Sequence, residues 1–303
     1  MGAGGLGAYY GARLAQAGND VVFIARGAHL AAMREKGLRV ISKAGDVHLA
    51  RVLATDDPAT VGQADCAIVA VKLWDLEAAA EAAKPFIGSR TTVVSFQNGV
   101  EKDALVARIV GADRVVGGIS YVSVKIAEPG VIEHTGDIAR IVLGELDRTR
   151  SDRVDTLAAH FAEAGVDTSV SDDIGRTTWE KFVYLAALSG LTSLLRSPIG
   201  PIRQNAEARS LLRDALLEGC EVARAAGIAL DPGFADAHMR FCDALPEQMR
   251  ASMAVDLERG RPLELMWLSG AVERFGREYG VATPVSSVIV RALALYANGS
   301  SGR

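Results

Sequence analysis

Short apolar runs alternate with helical patterns in the first half of the sequence and are missing from the second half. The runs "DVVFIAR", "DCAIVAVK" and "TTVVSFQN" begin at Asp20, Asp65 and Thr91. Between them lie segments such as "GAHLAAMREKGL" and "WDLEAAAEAAKPF", whose spacing and composition favour helices. Strands that are apolar throughout are buried on both faces, and their alternation with helices is typical of a mostly parallel sheet. The N-terminal part is therefore predicted to be an α/β domain.

The segment from Val115 to Leu146 has a different pattern. Its β-like runs, "VVGGISYVSVKI", "GVIEHTGD" and "ARIVLGEL", are separated by the turn signals Pro129-Gly130 and Gly136-Asp137. We expect these runs to extend the same sheet in an antiparallel fashion. A helix over about 154–164 and a short strand near 167–170 are expected to close the domain.

The β-like runs disappear after Asp173. The segments "TTWEKFVYLAALSGLTSLL", "NAEARSLLRDALLEGCEVARAAG", "PEQMRASMAVDLERG" and "PLELMWLSGAVERFGREYG" all have helical spacing, and several end in glycine. The sequence thus predicts a Rossmann-like, mostly parallel sheet domain over 1–171, followed by an all-α domain over 172–303. The terminal "NGSSGR" is expected to be disordered or vector-derived.

Length and composition agree with two domains and exclude several classes of function. The 303 residues correspond to two domains at roughly 150 residues each. The formal net charge is −4 and no Lys or Arg run forms a stripe, so no nucleic-acid partner is expected. Because no apolar stretch reaches roughly 20 residues and no signal-peptide pattern is present, we expect a cytoplasmic protein that does not bind membranes.

The cysteines and histidines give no pattern of metal ligands. Cys66, Cys220 and Cys242 are far apart, which favours buried free thiols. His238 and Cys242 stand four apart, but no second pair completes a coordination shell. No metal site is predicted.

The chain opens with a G-x-G-x-x-G pattern at Gly2, Gly4 and Gly7, which is weak evidence without its context. Here a helical segment follows, ending near Gly18, and then the strand that begins at Val21. In a dinucleotide-binding unit such glycines permit a tight turn, close approach of a pyrophosphate and close helix packing. Only Met1 precedes the pattern, so we expect that the numbering begins at the last residue of a first strand and that several residues precede it.

The residue that follows the second strand of such a unit distinguishes the two nicotinamide dinucleotides. An acidic residue there binds the ribose 2′-hydroxyl, whereas this chain has Arg26. A guanidinium pairs with a 2′-phosphate, so NADP(H) is favoured over NAD. The alternative is an arginine that is merely exposed after a strand.

Two further strands end in polar residues, at the edge of the sheet where open α/β folds bind ligands. Lys72 follows "AIVAV", and Asn98 follows "VVSFQ". Lys72 is a candidate for contact with phosphate or ribose, and Asn98 for contact with nicotinamide or substrate. A solvated lysine and a turn asparagine are the alternatives.

Lys181 lies in "TTWEKFVYLAALSGL", within an otherwise apolar helical pattern. A desolvated lysine can give up a proton near neutrality, as the reduction of a ketone requires. A lysine that extends from the helix edge into solvent is an equally good interpretation of the pattern. Glu264 is expected in the first turn of an apolar helix after Pro262, where it would also favour the helix dipole, and Ser252 lies 12 residues earlier.

Together these segments resemble the ketopantoate reductase (2-dehydropantoate 2-reductase) family over nearly the whole chain. The resemblance is carried by "GAGGLGAYYGARLAQAGNDVVFIARG", "VKLWD", "FQNGVE", "EPGVIEHTG", "TTWEKF" with "LTSLL", "SMAVDLERGRPLEL" and "YGVATPV". It implies NADPH-dependent reduction of a 2-keto acid to the D-2-hydroxy acid. The order and spacing of these segments along the chain are more specific to the family than any one segment by itself.

The resemblance also assigns roles to individual residues. Lys181 would donate the proton to the carbonyl oxygen. Asn98 would contact nicotinamide and substrate, Ser252 the substrate carboxylate, and Glu264 the cofactor ribose or the substrate hydroxyl. Cofactor contacts would come from Gly2, Ala3, Gly4, Gly5, Leu6, Gly7, Arg26 and Lys72.

The chain departs from the family at three asparagine positions, where it has Leu185, Ser189 and Ile199. The loss of amides removes substrate hydrogen bonds while leaving proton transfer possible, so hydroxylated substrates are discriminated less well. The leading hypothesis is reduction of 2-dehydropantoate to pantoate, a step of pantothenate biosynthesis. The alternatives are a D-2-hydroxy acid dehydrogenase for a branched or aromatic 2-keto acid, and an NADPH-responsive regulator without turnover. The apolar helix faces are compatible with a homodimer or with a monomer.

Overall fold

The structure, a computed structural model, describes residues 1–299. The chain divides into two compact units. The first unit contains Met1–Gln97 and Glu101–Gly175, and the second contains Asn98–Val100 and the chain from Arg176 onward. The expected C-terminal disorder covered residues 298–303, of which 300–303 lie outside the described residues. For Asn298 and Gly299 the expectation is wrong, since Asn298 forms a β-bridge with Pro262 and the Gly299 N–H donates to the Tyr296 carbonyl at 2.9 Å.

The first unit has nine strands and five α-helices within the described part of the chain. Its helices are α1 (Gly5–Gln16), α2 (Gly27–Lys36), α3 (Leu76–Ala83), α4 (Lys102–Val110) and α5 (Asp152–Glu163). Its strands are β1 (Val22–Ile24), β2 (Leu38–Ile41), β3 (Val47–Leu49), β4 (Leu53–Thr55), β5 (Ala64–Val69), β6 (Ile87–Ser95), β7 (Val115–Glu128), β8 (Val131–Glu145) and β9 (Asp167–Val170).

Seven of these strands form one sheet in the order β3-β2-β8-β7-β6-β5, with β9 added against β8. Strands β5, β6 and β7 are parallel, and β7 pairs with β8 in an antiparallel fashion. The antiparallel reversal predicted at Pro129-Gly130, the helix α5 and the strand β9 are confirmed. The second reversal predicted at Gly136-Asp137 is wrong: β8 continues through these residues, and its pairing with β7 only shifts register there. The α/β fold class is confirmed as well.

The strands β2, β3 and β4 were not predicted from the sequence. Each has only three or four residues. β2 and β3 form a hairpin, and β2 also pairs in parallel with the start of β8, while β4 pairs with β1. Runs this short carry little periodicity, and their partners lie far away in the chain.

Residues 1–3 lie between β1 and β5 and are hydrogen-bonded to both. The Met1 amine donates to the Ile68 carbonyl at 2.7 Å, and the Ala70 N–H donates to the Met1 carbonyl at 2.9 Å. On the other side, the N–H groups of Gly2 and Ala3 donate to the Ile24 carbonyl at 3.2 and 2.8 Å. These bonds hold the start of the glycine turn between two strands.

The second unit is helical throughout its described residues, apart from one isolated β-bridge between Pro262 and Asn298. Its helices are α6 (Ile174–Leu194), which begins at the end of the first unit, α7 (Ile199–Gln204), α8 (Ala206–Ala225), α9 (Phe234–Ala244), α10 (Ser252–Glu258), α11 (Ser269–Tyr279) and α12 (Pro284–Leu293). The predicted all-α C-terminal region is therefore confirmed.

A buried carboxylate fixes the start of α12 against α8. Glu218 accepts hydrogen bonds from the Val285 N–H at 2.5 Å, the Ser286 N–H at 2.9 Å and the Ser286 hydroxyl at 2.7 Å. The first N–H groups of a helix have no partner within it, so this carboxylate satisfies two of them from another helix.

The continuous helix expected after Pro262 is wrong. A 3₁₀ turn covers Leu265–Trp267, and α11 begins only at Ser269. Leu263, Leu265 and Leu268 are all buried. The backbone before the 3₁₀ turn pairs with the C-terminal segment instead of forming a helix: the Leu263 N–H donates to the Ala297 carbonyl at 2.9 Å, and Pro262 forms a β-bridge with Asn298.

No helix within residues 1–299 is long and apolar enough to cross a bilayer.

Candidate active site

The three glycines of the opening pattern have three different steric environments. Gly2 has φ +82°, a conformation that glycine adopts without strain. A Cβ on Gly7 would lie 2.4 Å from the Gly2 carbonyl oxygen, so α1 approaches the turn closely. A Cβ on Gly4 would meet nothing within 4 Å. The first and third glycines are required by the fold, and the second leaves open space beside the backbone.

The start of α1 is arranged as an anion-binding end would be. Gly4 caps the helix without any side-chain hydrogen bond, and the first turn contains no acidic residue. Unsatisfied N–H groups and the positive end of the helix dipole favour phosphate oxygens there. The residues present therefore fit the pyrophosphate of a dinucleotide.

The two cationic candidates of the first unit lie after strands of this unit. Arg26 follows β1, is exposed and precedes α2 as its N-cap residue. Lys72 follows β5 and precedes a 3₁₀ turn at Leu73–Asp75, with its Nζ 5.5 Å from the centre of the Trp74 ring. The exposed guanidinium of Arg26 is accessible to a ligand phosphate.

A histidine beside the glycine turn was missed by the sequence analysis. His29 in α2 accepts the Gly130 N–H on Nδ1 at 3.0 Å. Burial lowers the pKa of His29, and the Ala3 backbone opposes this shift. The imidazole thus connects the turn between β7 and β8 with the neighbourhood of the glycine turn. Its only sequence signal was its place three residues after Arg26.

Lys181 and Asn98 are brought into direct contact. The Lys181 Nζ in α6 donates to the Asn98 Oδ1 at 3.0 Å, although the two residues are 83 positions apart. Both side chains are half-buried. An amide oxygen that accepts from the ammonium group orients it without removing its charge. The arrangement can hold a proton donor at a defined place.

A buried ion pair stabilises the connection that carries Asn98, and the sequence analysis did not identify it. Lys102 at the start of α4 contacts both carboxylate oxygens of Asp103, at 2.7 and 2.8 Å, and donates to the Ser95 carbonyl at 3.0 Å. The Ser95 hydroxyl donates to the same carboxylate at 2.9 Å. These bonds join the end of β6 to the start of α4, on either side of residues 96–101.

Ser252 and Glu264 lie at the two ends of the segment formed by α10 and the residues that follow it in the second unit. Ser252 is exposed and is the first residue of α10. Glu264 is 5% exposed and precedes the 3₁₀ turn rather than occupying the first turn of a helix, which corrects the expectation. Its carbonyl accepts the Trp267 and Leu268 N–H groups, each at 3.2 Å.

The three positions at which the resemblance implied asparagines have distinct environments. Leu185 in α6 is half-buried against the helical core. Ser189 is fully buried, and its hydroxyl has no partner among the described residues. Ile199 at the start of α7 is fully buried in the same apolar core. None of the three positions supplies a side-chain amide.

The cysteines and histidines form no metal centre in the described part of the chain. No group of three or more His, Cys, Asp or Glu side chains is placed to hold a metal ion among residues 1–299. His238 bonds the Phe234 carbonyl through Nδ1 at 3.0 Å and stacks on the Phe234 ring.

Comparison with known proteins identifies the family. The protein-family model described as "Ketopantoate reductase PanE/ApbA" matches residues 1–148, and the family model of the C-terminal part matches residues 173–297. The chain belongs to the ketopantoate reductase family. The chain is accordingly an oxidoreductase of the kind that acts on CH–OH groups.

Relatives and solved structures match over almost the whole length. The 2-dehydropantoate 2-reductase of Mesorhizobium japonicum is 32% identical over 97% of this chain and 97% of its own. The crystal structure of 2-dehydropantoate 2-reductase from Geobacter metallireducens is 34% identical, with a TM-score of 0.91 over 97% of this chain and 98% of that chain. A D-mandelate dehydrogenase with NADH and anilino(oxo)acetate is 23% identical, with a TM-score of 0.88 over 98% and 96% of the two chains, and shows the same fold.

Proposed function

We propose that the chain catalyses the NADPH-dependent reduction of 2-dehydropantoate to the D-2-hydroxy acid pantoate. The single observation that carries the proposal is the hydrogen bond from Lys181 Nζ to Asn98 Oδ1. Two relatives that match over nearly all of this chain are named 2-dehydropantoate 2-reductase, and this supports the substrate class.

When bound, a dihydronicotinamide would supply the hydride that C2 of the keto acid takes up. Lys181 donates a proton to the carbonyl oxygen as negative charge develops there. Asn98 holds the ammonium group through its Oδ1, and its own amide N–H groups remain available to a carbonyl or hydroxyl acceptor. Ser252 offers a hydroxyl donor to the substrate carboxylate, and Glu264 accepts from a ribose or substrate hydroxyl.

The proposed cofactor is NADP(H), held by the first unit. The uncapped start of α1 and the open space at Gly4 accommodate the pyrophosphate. Arg26 pairs with the 2′-phosphate, which NADH lacks, and Lys72 adds a second cationic contact. Replacing Arg26 with Gln is expected to raise the KM for NADPH by about tenfold or more while leaving that for NADH nearly unchanged.

A branched or aromatic 2-keto acid is the second candidate substrate. Leu185, Ser189 and Ile199 stand where the resemblance to the family implies asparagines. A site without these amides loses hydrogen bonds to a hydroxylated substrate. Because Ser189 and Ile199 are fully buried, apolar contact with a hydrocarbon side chain would come from the half-buried Leu185. The neighbour named D-mandelate dehydrogenase, which shares the fold, fits this candidate.

Steady-state oxidation of NADPH separates the two candidates. The panel contains 2-dehydropantoate, 2-ketoisovalerate, phenylpyruvate and benzoylformate, each assayed with NADPH and with NADH. The highest kcat/KM with 2-dehydropantoate supports the first candidate, and the highest value with one of the other three supports the second. Absence of turnover with all four would contradict both.

A further inference from the structure

The second unit contains a surface pocket that the proposed chemistry does not use. Its volume is about 380 Å³, within the range of pockets that hold small metabolites. The pocket is lined by the C-terminal end of α10 and the turn that follows, by Arg196 after α6, and by Tyr296 and Gly299 near the end of the described chain. Ser252 lies at the opposite end of α10, about 9 Å along the helix axis.

The pocket has an excess of positive charge in a chain whose net charge is −4. Arg196, Arg259 and Arg261 line it together with one acid, Glu258. Glu258 is paired with Arg250, and Arg261 lies 3.7 Å from Asp256. Arg196 and Arg259 have no carboxylate partner within the described residues. Two guanidinium charges are therefore left uncompensated at one concave surface.

The end of α6 and one aromatic contact place Arg196 at the pocket. Arg196 has φ +48° because it ends α6 as a left-handed cap, in which its N–H donates to the Ser193 carbonyl and the Ser197 N–H donates to the Thr192 carbonyl, each at 3.3 Å. The side chain of Arg196 lies over the Tyr296 ring, with 5.0 Å between the guanidinium carbon and the ring centre. A Cβ on Gly299 would lie 2.7 Å from the Gly260 carbonyl oxygen. The C-terminal segment therefore packs directly against the turn that follows α10 and carries Arg259 and Arg261.

We propose that this pocket binds a small phosphate monoester. A phosphate monoester carries a charge of about −1.5 to −2 at neutral pH. This charge balances the two positive charges of Arg196 and Arg259 more closely than the single negative charge of a carboxylate ligand would. Guanidinium groups bind phosphate oxygens in a bidentate fashion. Leu257 and the exposed part of the Tyr296 ring give the organic part of the ligand an apolar wall.

The test is calorimetric titration of the chain, in chloride buffer, with inorganic phosphate and with glycerol 3-phosphate. A separate titration with lactate is the control for binding of a carboxylate. Each titration is run with and without saturating NADPH, because the glycine turn and Arg26 are proposed to bind phosphates too. We expect one site per chain that binds glycerol 3-phosphate in the presence of NADPH and binds lactate far more weakly.

Variants assign the binding to the pocket. Arg196→Gln and Arg259→Gln are each expected to weaken binding about ten- to hundredfold, and the exposed Arg277→Gln on α11 serves as the matched control. Arg196→Gly, which suits the positive φ, must reproduce the loss of Arg196→Gln if the guanidinium is responsible. Absence of saturable binding, equal binding of lactate, displacement by NADPH, or insensitivity to both pocket substitutions would overturn the proposal. These outcomes leave the reductase assay unaffected.

Discussion

At the scale of single residues, the proposed chemistry depends on a lysine whose environment only the tertiary structure reveals. Lys181 is held by Asn98 at 3.0 Å and lies half-buried on a mainly apolar helix. Lys181→Ala is expected to lower kcat by roughly 10²- to 10⁴-fold, because the proton donor is lost, while the affinity for NADPH is retained. Single-turnover rates and NADPH fluorescence titrations measure the two quantities.

Exposed Lys36→Ala provides the control for the loss of a positive charge. Near-normal turnover of Lys181→Ala would show that this lysine is not the proton donor. An Asn98→Ala variant with a smaller loss of kcat and an altered pH profile would fit its proposed role in orienting the ammonium group.

A second prediction at the residue scale concerns His29 and pH. Burial lowers the pKa of His29 below its ordinary value, and its Nδ1 accepts the Gly130 N–H. The unfolded chain therefore takes up this proton more readily than the folded chain, so the contribution of His29 to stability is present above about pH 6.5 and is lost as the pH falls through the lowered pKa.

Urea unfolding between about pH 7.5 and 5.5 tests the effect of His29. His29→Asn keeps a neutral acceptor near Nδ1 and cannot be protonated, so the free energy of unfolding of the variant should depend less on pH across this range. An identical pH dependence in both proteins would contradict the assignment.

At the scale of elements, the glycines of the opening turn serve two different purposes. Gly7 allows close packing of α1 against the turn, and Gly4 leaves space for a ligand. Gly7→Ala would place a methyl group 2.4 Å from the Gly2 carbonyl, so we expect a loss of about 1–3 kcal/mol in the free energy of unfolding. Gly4→Ala meets nothing within 4 Å, so it should leave stability nearly unchanged and lower the affinity for NADPH. Thermal unfolding and NADPH titration of the two variants give the comparison, and equal effects on stability would contradict it.

At the scale of the whole molecule, the three cysteines are expected to behave as unreactive thiols. Burial raises the pKa of Cys220 and Cys242 to about 11 and that of Cys66 to about 12. Because the thiolate is the nucleophile, the folded chain should react only slowly with a disulfide reagent at about pH 8. In concentrated guanidinium all three thiols should react at once. A Lys36→Cys variant, with a thiol at an exposed position, is the positive control, and rapid reaction of the unmodified folded chain would contradict the prediction.

The sequence by itself determined the order of the α/β and all-α parts, because strand and helix periodicity are local and strong. It also determined the antiparallel pattern of β7 and β8, since the turn residues at Pro129-Gly130 fix a reversal without help from distant residues. The glycine pattern and its helix followed for the same reason. These properties arise from neighbours in the chain.

The tertiary structure decided what distant residues do together. It placed Lys181 beside Asn98 and selected the partners of the short strands β2 and β4. It also replaced the helix expected after Pro262, because the backbone of Pro262 and Leu263 pairs with the C-terminal segment. It also assembled the pocket that contains Arg196, Arg259 and Arg261 from three separate segments of the chain. Such arrangements depend on packing and on the satisfaction of buried polar groups across long sequence separations, and no local pattern of residues carries that information.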